Sequence, residues 1–171
     1  MTIITAPESY VMKAGEISVF LAGGITNCHN WQADIISQLE EYHLDKLVIF
    51  NPRRDNFPIH DPSASYKQIL WEFEALEKAD IFSMYFTKGV SDQPICMYEL
   101  GRNICKMQIR KPIDWKDRIV ISVEEGYRRK NDVLIQTEFA CGYLPINVDE
   151  NEAICENAHV QAIVKAYKAC L

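Results

Sequence analysis

Two carboxylates in this chain stand where helix amphipathicity alone asks for no charge. The first is Glu99, in the run Pro94-Ile95-Cys96-Met97-Tyr98-Glu99-Leu100-Gly101. Pro94 suits the first position of a helix. Met97, Leu100, Gly101 and Ile104 then form an apolar stripe, and Glu99 falls off it in the second turn. The positive end of the helix dipole lies nearby and favours an ionised carboxylate. A carboxylate at the end of a strand–loop–helix unit is what a nucleophile or general base needs. The plainer alternative is a surface glutamate that complements the dipole.

The second is Glu72, in a helical run that leads straight into the apolar Ile81–Phe86. Ile69, Phe73, Leu76 and Asp80 share the expected buried face, and Glu72 sits at its edge, where a charge is costly without a partner. Trp71 points nearly opposite, so on a monomer it would be exposed and would mark a subunit contact. The plainer reading of Glu72 is a boundary glutamate paired with a lysine or arginine.

These side chains need a scaffold, and composition supplies one. The 171 residues suffice for a single domain, 1–171, with a sizeable core, and 48 % hydrophobic residues exclude a disordered chain. A net charge of −6 argues against a nucleic-acid backbone as partner. No apolar run is long enough for a membrane span, and the polar-broken start does not read as a signal peptide. Cys28, Cys96, Cys105, Cys141, Cys155 and Cys170 show no CxxC spacing and read as reduced, cytoplasmic residues. The four histidines lack HExxH-type spacing, so no metal is expected.

Strand and helix patterns alternate. Strands are expected at about 17–22, 47–50, 80–86, 118–123 and 146–148. Helices are expected at about 30–42, 64–79, 94–107, from Asn131 or Asp132 to Gly142, and from about 150 onward. Asn30 is the expected cap of the first helix. The alternation implies βα units around a mainly parallel five-stranded sheet flanked by helices. Ligands of such sheets bind beyond the carboxyl ends of the strands. That rim gathers Gly23 and Gly24 after the first of these strands, Asn51, Arg53 and Arg54 after the second, and the 87–93 loop with Glu99 after the third. Glu72 reaches the rim only if its helix overhangs that edge. Gly23-Gly24 lets a ligand approach backbone closely. Arg53-Arg54 suits either a phosphate or the anchoring of loops.

The order Val19-Phe20-Leu21-Ala22-Gly23-Gly24, Trp31-Gln32, Asn51-Pro52-Arg53-Arg54, Gln68-Ile69-Leu70-Trp71-Glu72, Ala79-Asp80 and Tyr98-Glu99-Leu100-Gly101 resembles the nucleoside 2-deoxyribosyltransferase superfamily. The resemblance is to its branch with Pro-Arg-Arg and Trp-Glu motifs, and it covers about residues 17–107, with Tyr127-Arg128-Arg129 beyond. It implies a flavodoxin-like (Rossmann-like) fold and a homodimer or larger assembly. It implies that Glu99 attacks the anomeric carbon and that Glu72 occupies the position of a family aspartate. It places a base-contacting acid just before the nucleophile, for which Asp92 and Gln93 compete. The family's nucleotide hydrolases carry a Ser/Gly-rich stretch before the nucleophile; here it is Gln93-Pro94-Ile95-Cys96, which weakens a phosphate-binding version.

The expected chemistry is cleavage of an N-glycosidic bond through an oxocarbenium-like state, with Glu99 trapping the sugar covalently. Glu72 would orient Glu99 or bind sugar hydroxyls. A second nucleobase then captures the sugar, and water capture would give a hydrolase of nucleosides or nucleoside 5′-monophosphates. A non-catalytic nucleotide-binding module is the third reading. No cofactor is expected, and a flavin is disfavoured because no Ser/Thr-rich phosphate loop follows the 17–22 strand.

Overall fold

The computed structural model describes residues 1–171. Its strands are β1 (Thr2–Thr5), β2 (Ile17–Gly23), β3 (Leu47–Asn51), β4 (Ile81–Phe86), β5 (Ile119–Glu124) and β6 (Ile146–Asp149). The helices are α1 (Trp31–Glu40), α2 (Ala64–Lys78), α3 (Pro94–Arg110), α4 (Lys130–Cys141) and α5 (Glu152–Cys170). All strands pair in parallel, in the order β1-β3-β2-β4-β5-β6. Without β1 the order is the flavodoxin-like one, whose direction reverses between β2 and β4. The sequence reading expected five strands; the sixth is Thr2–Thr5, a four-residue Thr-Ile-Ile-Thr run too short to signal itself, and it covers the free edge of β3.

Every residue of β4 and β5 is buried, because helices cover both faces of the sheet. Alternate residues separate two cores. Phe20, Ala22, Phe82, Met84 and Phe86 face α2, α3 and α4. Val19, Leu21, Ile81 and Tyr85 face α1 and α5. Within the second core His159 bridges two sheet hydroxyls, with Nε2 2.7 Å from Ser83 and Nδ1 2.8 Å from Ser122. Burial lowers its pKa to about 3, so it is neutral.

Three local expectations are corrected. On α2 the buried residues are Ala64, Gln68, Ala75 and Leu76, whereas Ile69 and Phe73 are 64 % and 50 % exposed. Trp71 packs inward against Phe20 and Phe50, and its Nε1 donates to the Glu8 carbonyl at 2.7 Å. Both faces of α2 carry apolar residues, so periodicity could not choose between them; the small Ala75 and the indole fit against the sheet. On α3 the buried stripe is Cys96, Leu100, Asn103, Ile104 and Met107, and Gly101 is exposed. Finally, α4 starts at Lys130, with Arg129 rather than Asn131 or Asp132 at its cap. Asn30 does cap α1, its side chain accepting from the Ala33 amide.

Candidate active site

Beyond the carboxyl ends of β2, β3 and β4, where the strand order reverses, lies a cleft of about 260 Å³. Gly23, Gly24, Pro52, Glu72, Gln93 and Glu99 are among its lining residues. Glu72 and Glu99 thus come from two different helices to one cavity. α2 overhangs the rim because Gln68 Nε2 donates to the Pro52 carbonyl at 2.8 Å, tying the helix to the end of β3. The same nitrogen donates to Glu72 at 2.8 Å. The partner of Glu72 is therefore an amide, not the lysine or arginine of the plainer reading. The i, i+4 spacing of Gln68 and Glu72 carried this signal in the sequence.

Burial raises the pKa of Glu72, against the lowering effect of the Gln68 hydrogen bond. Glu99 is pushed up to about 7, first by burial and then by the charge of Glu72, with Arg102 opposing. This reverses the expectation that the helix dipole favours the ionised carboxylate. The dipole acts within the first turn of a helix, and Glu99 stands one turn further in. Arg102 stacks 4.5 Å from the Phe73 ring and pairs with Glu77.

Gly23 is sterically required, and Gly24 packs closely against the ends of two side chains. A Cβ on Gly23, whose φ is 154°, would lie 2.3 Å from the Tyr85 carbonyl and 2.5 Å from the Trp31 ring. A Cβ on Gly24 would lie 2.6 Å from Cys28 Sγ and 2.7 Å from Gln93 Oε1. Trp31 Nε1 donates to the Gly24 carbonyl at 2.9 Å and fixes this turn.

The remaining candidates divide. Gln93 lines the cleft and caps α3 in a left-handed conformation, φ 46°. Asp92 does not line it; its carboxylate lies 3.5 Å from Arg128, and its carbonyl accepts from the Tyr127 hydroxyl at 2.7 Å. Asn51 also stands outside, its side chain accepting from the Arg53 amide at 3.0 Å. Arg53 donates to the carbonyls of His29 at 2.6 Å and Cys28 at 2.9 Å and to Gln32 at 3.2 Å, so its guanidinium holds the β2–α1 loop. Arg54 stacks on Phe57, 5.4 Å from its centroid. Pro52 and Cys96 line the cleft without having been singled out from the sequence.

A family model described as "Nucleoside 2-deoxyribosyltransferase like" matches residues 16–127. The chain belongs to this family. No curated protein matches it. The matched span contains every cleft residue named above, whereas α4, β6 and α5 lie outside it.

In this nucleoside 2-deoxyribosyltransferase-like chain, a second polar cluster occupies another part of the strand-end rim. His29 Nε2 lies 3.0 Å from both Glu152 and Glu156 and 3.8 Å from the buried Glu124. The donor atoms of His29, Glu124 and Glu152 lie within 4.8 Å of one another, close enough to hold a cation. Spacing rules in the sequence could not find this group, because the β2–α1 loop, β5 and α5 each supply part of it. No helix is long and apolar enough to cross a membrane.

Proposed function

We propose that this chain is an N-glycosyltransferase that moves a 2-deoxyribosyl group between nucleobases through a covalent glycosyl–Glu99 intermediate. The observation that carries the reading is the meeting of Glu72 and Glu99 in one recessed cleft, where burial and the Glu72 charge push Glu99 up to about 7. Ionised Glu99 attacks the anomeric carbon as the C–N bond to the base breaks, and the leaving base takes up a proton. The incoming base attacks the same carbon, releases Glu99 and gives up a proton, so transfer consumes none. Glu72, held by Gln68, positions a sugar hydroxyl or Glu99 itself. Two inversions give net retention.

Residues 1–171 act in this reading as one domain. The exposed Ile69 and Phe73 of α2 and Ile95 and Tyr98 of α3 favour a homodimer through that face. Six unpaired cysteines favour a reducing, cytoplasmic setting. The committed donors of Arg53 favour nucleosides over their 5′-monophosphates.

The test is mass spectrometry of the intact protein mixed with a panel of 2′-deoxynucleosides, with and without a second free base. A deoxyribosyl adduct that is lost in Glu99→Gln, together with new nucleoside when the second base is present, supports transfer. Free base with no new nucleoside would mean hydrolysis. No adduct and no base release would leave only a binding module.

A further inference from the structure

Away from the cleft, the strand-end rim gathers acid around one imidazole. His29 Nε2 faces oxygens of Glu152 and Glu156 at 3.0 Å and of Glu124 at 3.8 Å. Asp34 is close as well, since its donor atom and those of His29 and Glu156 lie within 4.8 Å of one another. Two of these carboxylates are deeply buried: the side chains of Glu124 and Glu156 are 1 % and 8 % exposed. Buried carboxylates need counter-charge. Lys88 pairs with the group, its Nζ 3.2 Å from the second oxygen of Glu152, and no arginine does.

Hydrogen bonds do not make up the difference. An imidazole nitrogen carries at most one hydrogen, which points in one direction. It cannot serve Glu152, Glu156 and Glu124 together. Glu156 has no other hydrogen-bond partner, so a carboxylate more than nine-tenths buried depends on a contested proton. Glu124 is held from outside: Oε1 accepts from the Tyr85 hydroxyl at 3.0 Å and Oε2 from the Lys88 amide at 2.7 Å. Carboxylates oriented by outer hydrogen bonds and aimed at one imidazole are arranged as metal ligands are. The spacing agrees. An ion bound tetrahedrally at about 2.0–2.2 Å puts neighbouring donors roughly 3.3–3.6 Å apart. The separations of His29 from Glu152 and from Glu124, 3.0 and 3.8 Å, bracket that range.

We propose that His29, Glu124 and Glu152 hold one divalent transition-metal ion, for which zinc is the best fit, with Glu156 facing the same nitrogen. An imidazole suits zinc, whereas calcium takes about six to eight oxygens and magnesium an octahedral shell. The two charges of the ion and the one of Lys88 balance the carboxylates of Glu124, Glu152 and Glu156. The ligands come from the β2–α1 loop, the end of β5 and the start of α5, so the ion pins that loop to the far side of the sheet end. Ile25 and Thr26 of the same loop line the cleft, and none of the three ligands does. The site is thus a structural one, and it stands apart from the reading of the cleft as a nucleoside site.

The experiment titrates Zn²⁺ into chelator-treated protein by calorimetry and follows melting, with Ca²⁺ for comparison and Co²⁺ as a spectroscopic probe. We expect one equivalent of Zn²⁺ to bind with a Kd below about 10 μM and to raise Tm. Ca²⁺ should bind at least about tenfold more weakly. Co²⁺ should give visible ligand-field bands and no thiolate charge-transfer band, because no cysteine belongs to the set. His29→Gln, and Glu152→Gln at its half-exposed position, should each weaken Zn²⁺ at least about tenfold. Wild type that binds no Zn²⁺ more tightly than about 10 μM would leave protonated His29 as the counter-charge and overturn the proposal. So would a thiolate band, an unchanged Tm, Ca²⁺ bound as tightly as Zn²⁺, or a folded variant that binds as wild type does. All but the last of these outcomes are read on wild type and need no variant to fold.

Discussion

Gln68 and Glu72 stand one turn apart on α2, and a single amide nitrogen of Gln68 joins Glu72 to the Pro52 carbonyl. The helix, the end of β3 and the inner acid of the cleft are thereby one hydrogen-bonded unit. Gln68→Leu should break it. Glu72 loses the bond that lowers its pKa and becomes harder to ionise. We expect kcat/KM to fall about tenfold, with a stability loss of about 1–2 kcal/mol. Unchanged kcat/KM in a folded Gln68→Leu protein would remove this link from the site.

The pH profile tests the order of the two acids. With Glu99 pushed up to about 7, only part of the free protein holds the proposed nucleophile in its ionised form at neutral pH. kcat/KM should therefore rise with pH through a limb near 7. Removing the neighbouring charge in Glu72→Gln should move that limb to lower pH, because Glu72 is one of the causes of the rise. A limb that stays in place shows that the two carboxyls do not sense each other.

Stability carries the same signature with a defined sign. The folded pKa of Glu99 lies above its ordinary 4.5, so between 4.5 and about 7 the folded state keeps a proton that the unfolded chain has lost. Its contribution is fully present below 4.5 and is lost as pH rises through 7. That rise corresponds to a penalty on the order of 3 kcal/mol. Glu99→Gln should be more stable than wild type by about 1–3 kcal/mol at pH 8, and the gain should vanish near pH 5. His159 acts in the opposite sense: its lowered pKa removes stability as pH falls below 6.5. The difference between variant and wild type in urea titrations isolates Glu99. A gain independent of pH would count against its raised pKa.

Arg53→Ala tests whether that residue serves the loop or a phosphate. Its three donors end on the β2–α1 loop and α1. We expect a stability loss of about 2 kcal/mol and a deoxynucleoside preference that the variant retains. A preference of more than about tenfold for the 5′-monophosphate, roughly 1.4 kcal/mol, that disappears in Arg53→Ala would reassign the arginine to the substrate.

Long, strongly patterned segments were legible in the sequence. Ile17–Gly23, Ile81–Phe86 and Pro94–Arg110 follow from apolar runs, glycine pairs and an initiating proline. The strand-end rule then brought Gly23, Gly24 and Glu99 to one edge. What sequence could not resolve was orientation. α2 has apolar residues on two faces, so Trp71 and Phe73 were exchanged between inside and outside. Asp92 and Gln93 are adjacent, and only the left-handed turn at Gln93 decides which faces the cleft. The arginine donors were invisible because their acceptors are backbone carbonyls more than twenty residues away.

The bond from Trp71 to the Glu8 carbonyl has an engineering consequence. The indole it holds neighbours Glu72 in the chain and fills the space between Phe20 and Phe50. The first eight residues therefore act as a clasp beside the wall of the candidate cleft. Affinity tags or trimming at that end disturb the cleft wall from outside it, so a preparation altered there is the wrong standard against which to judge any variant.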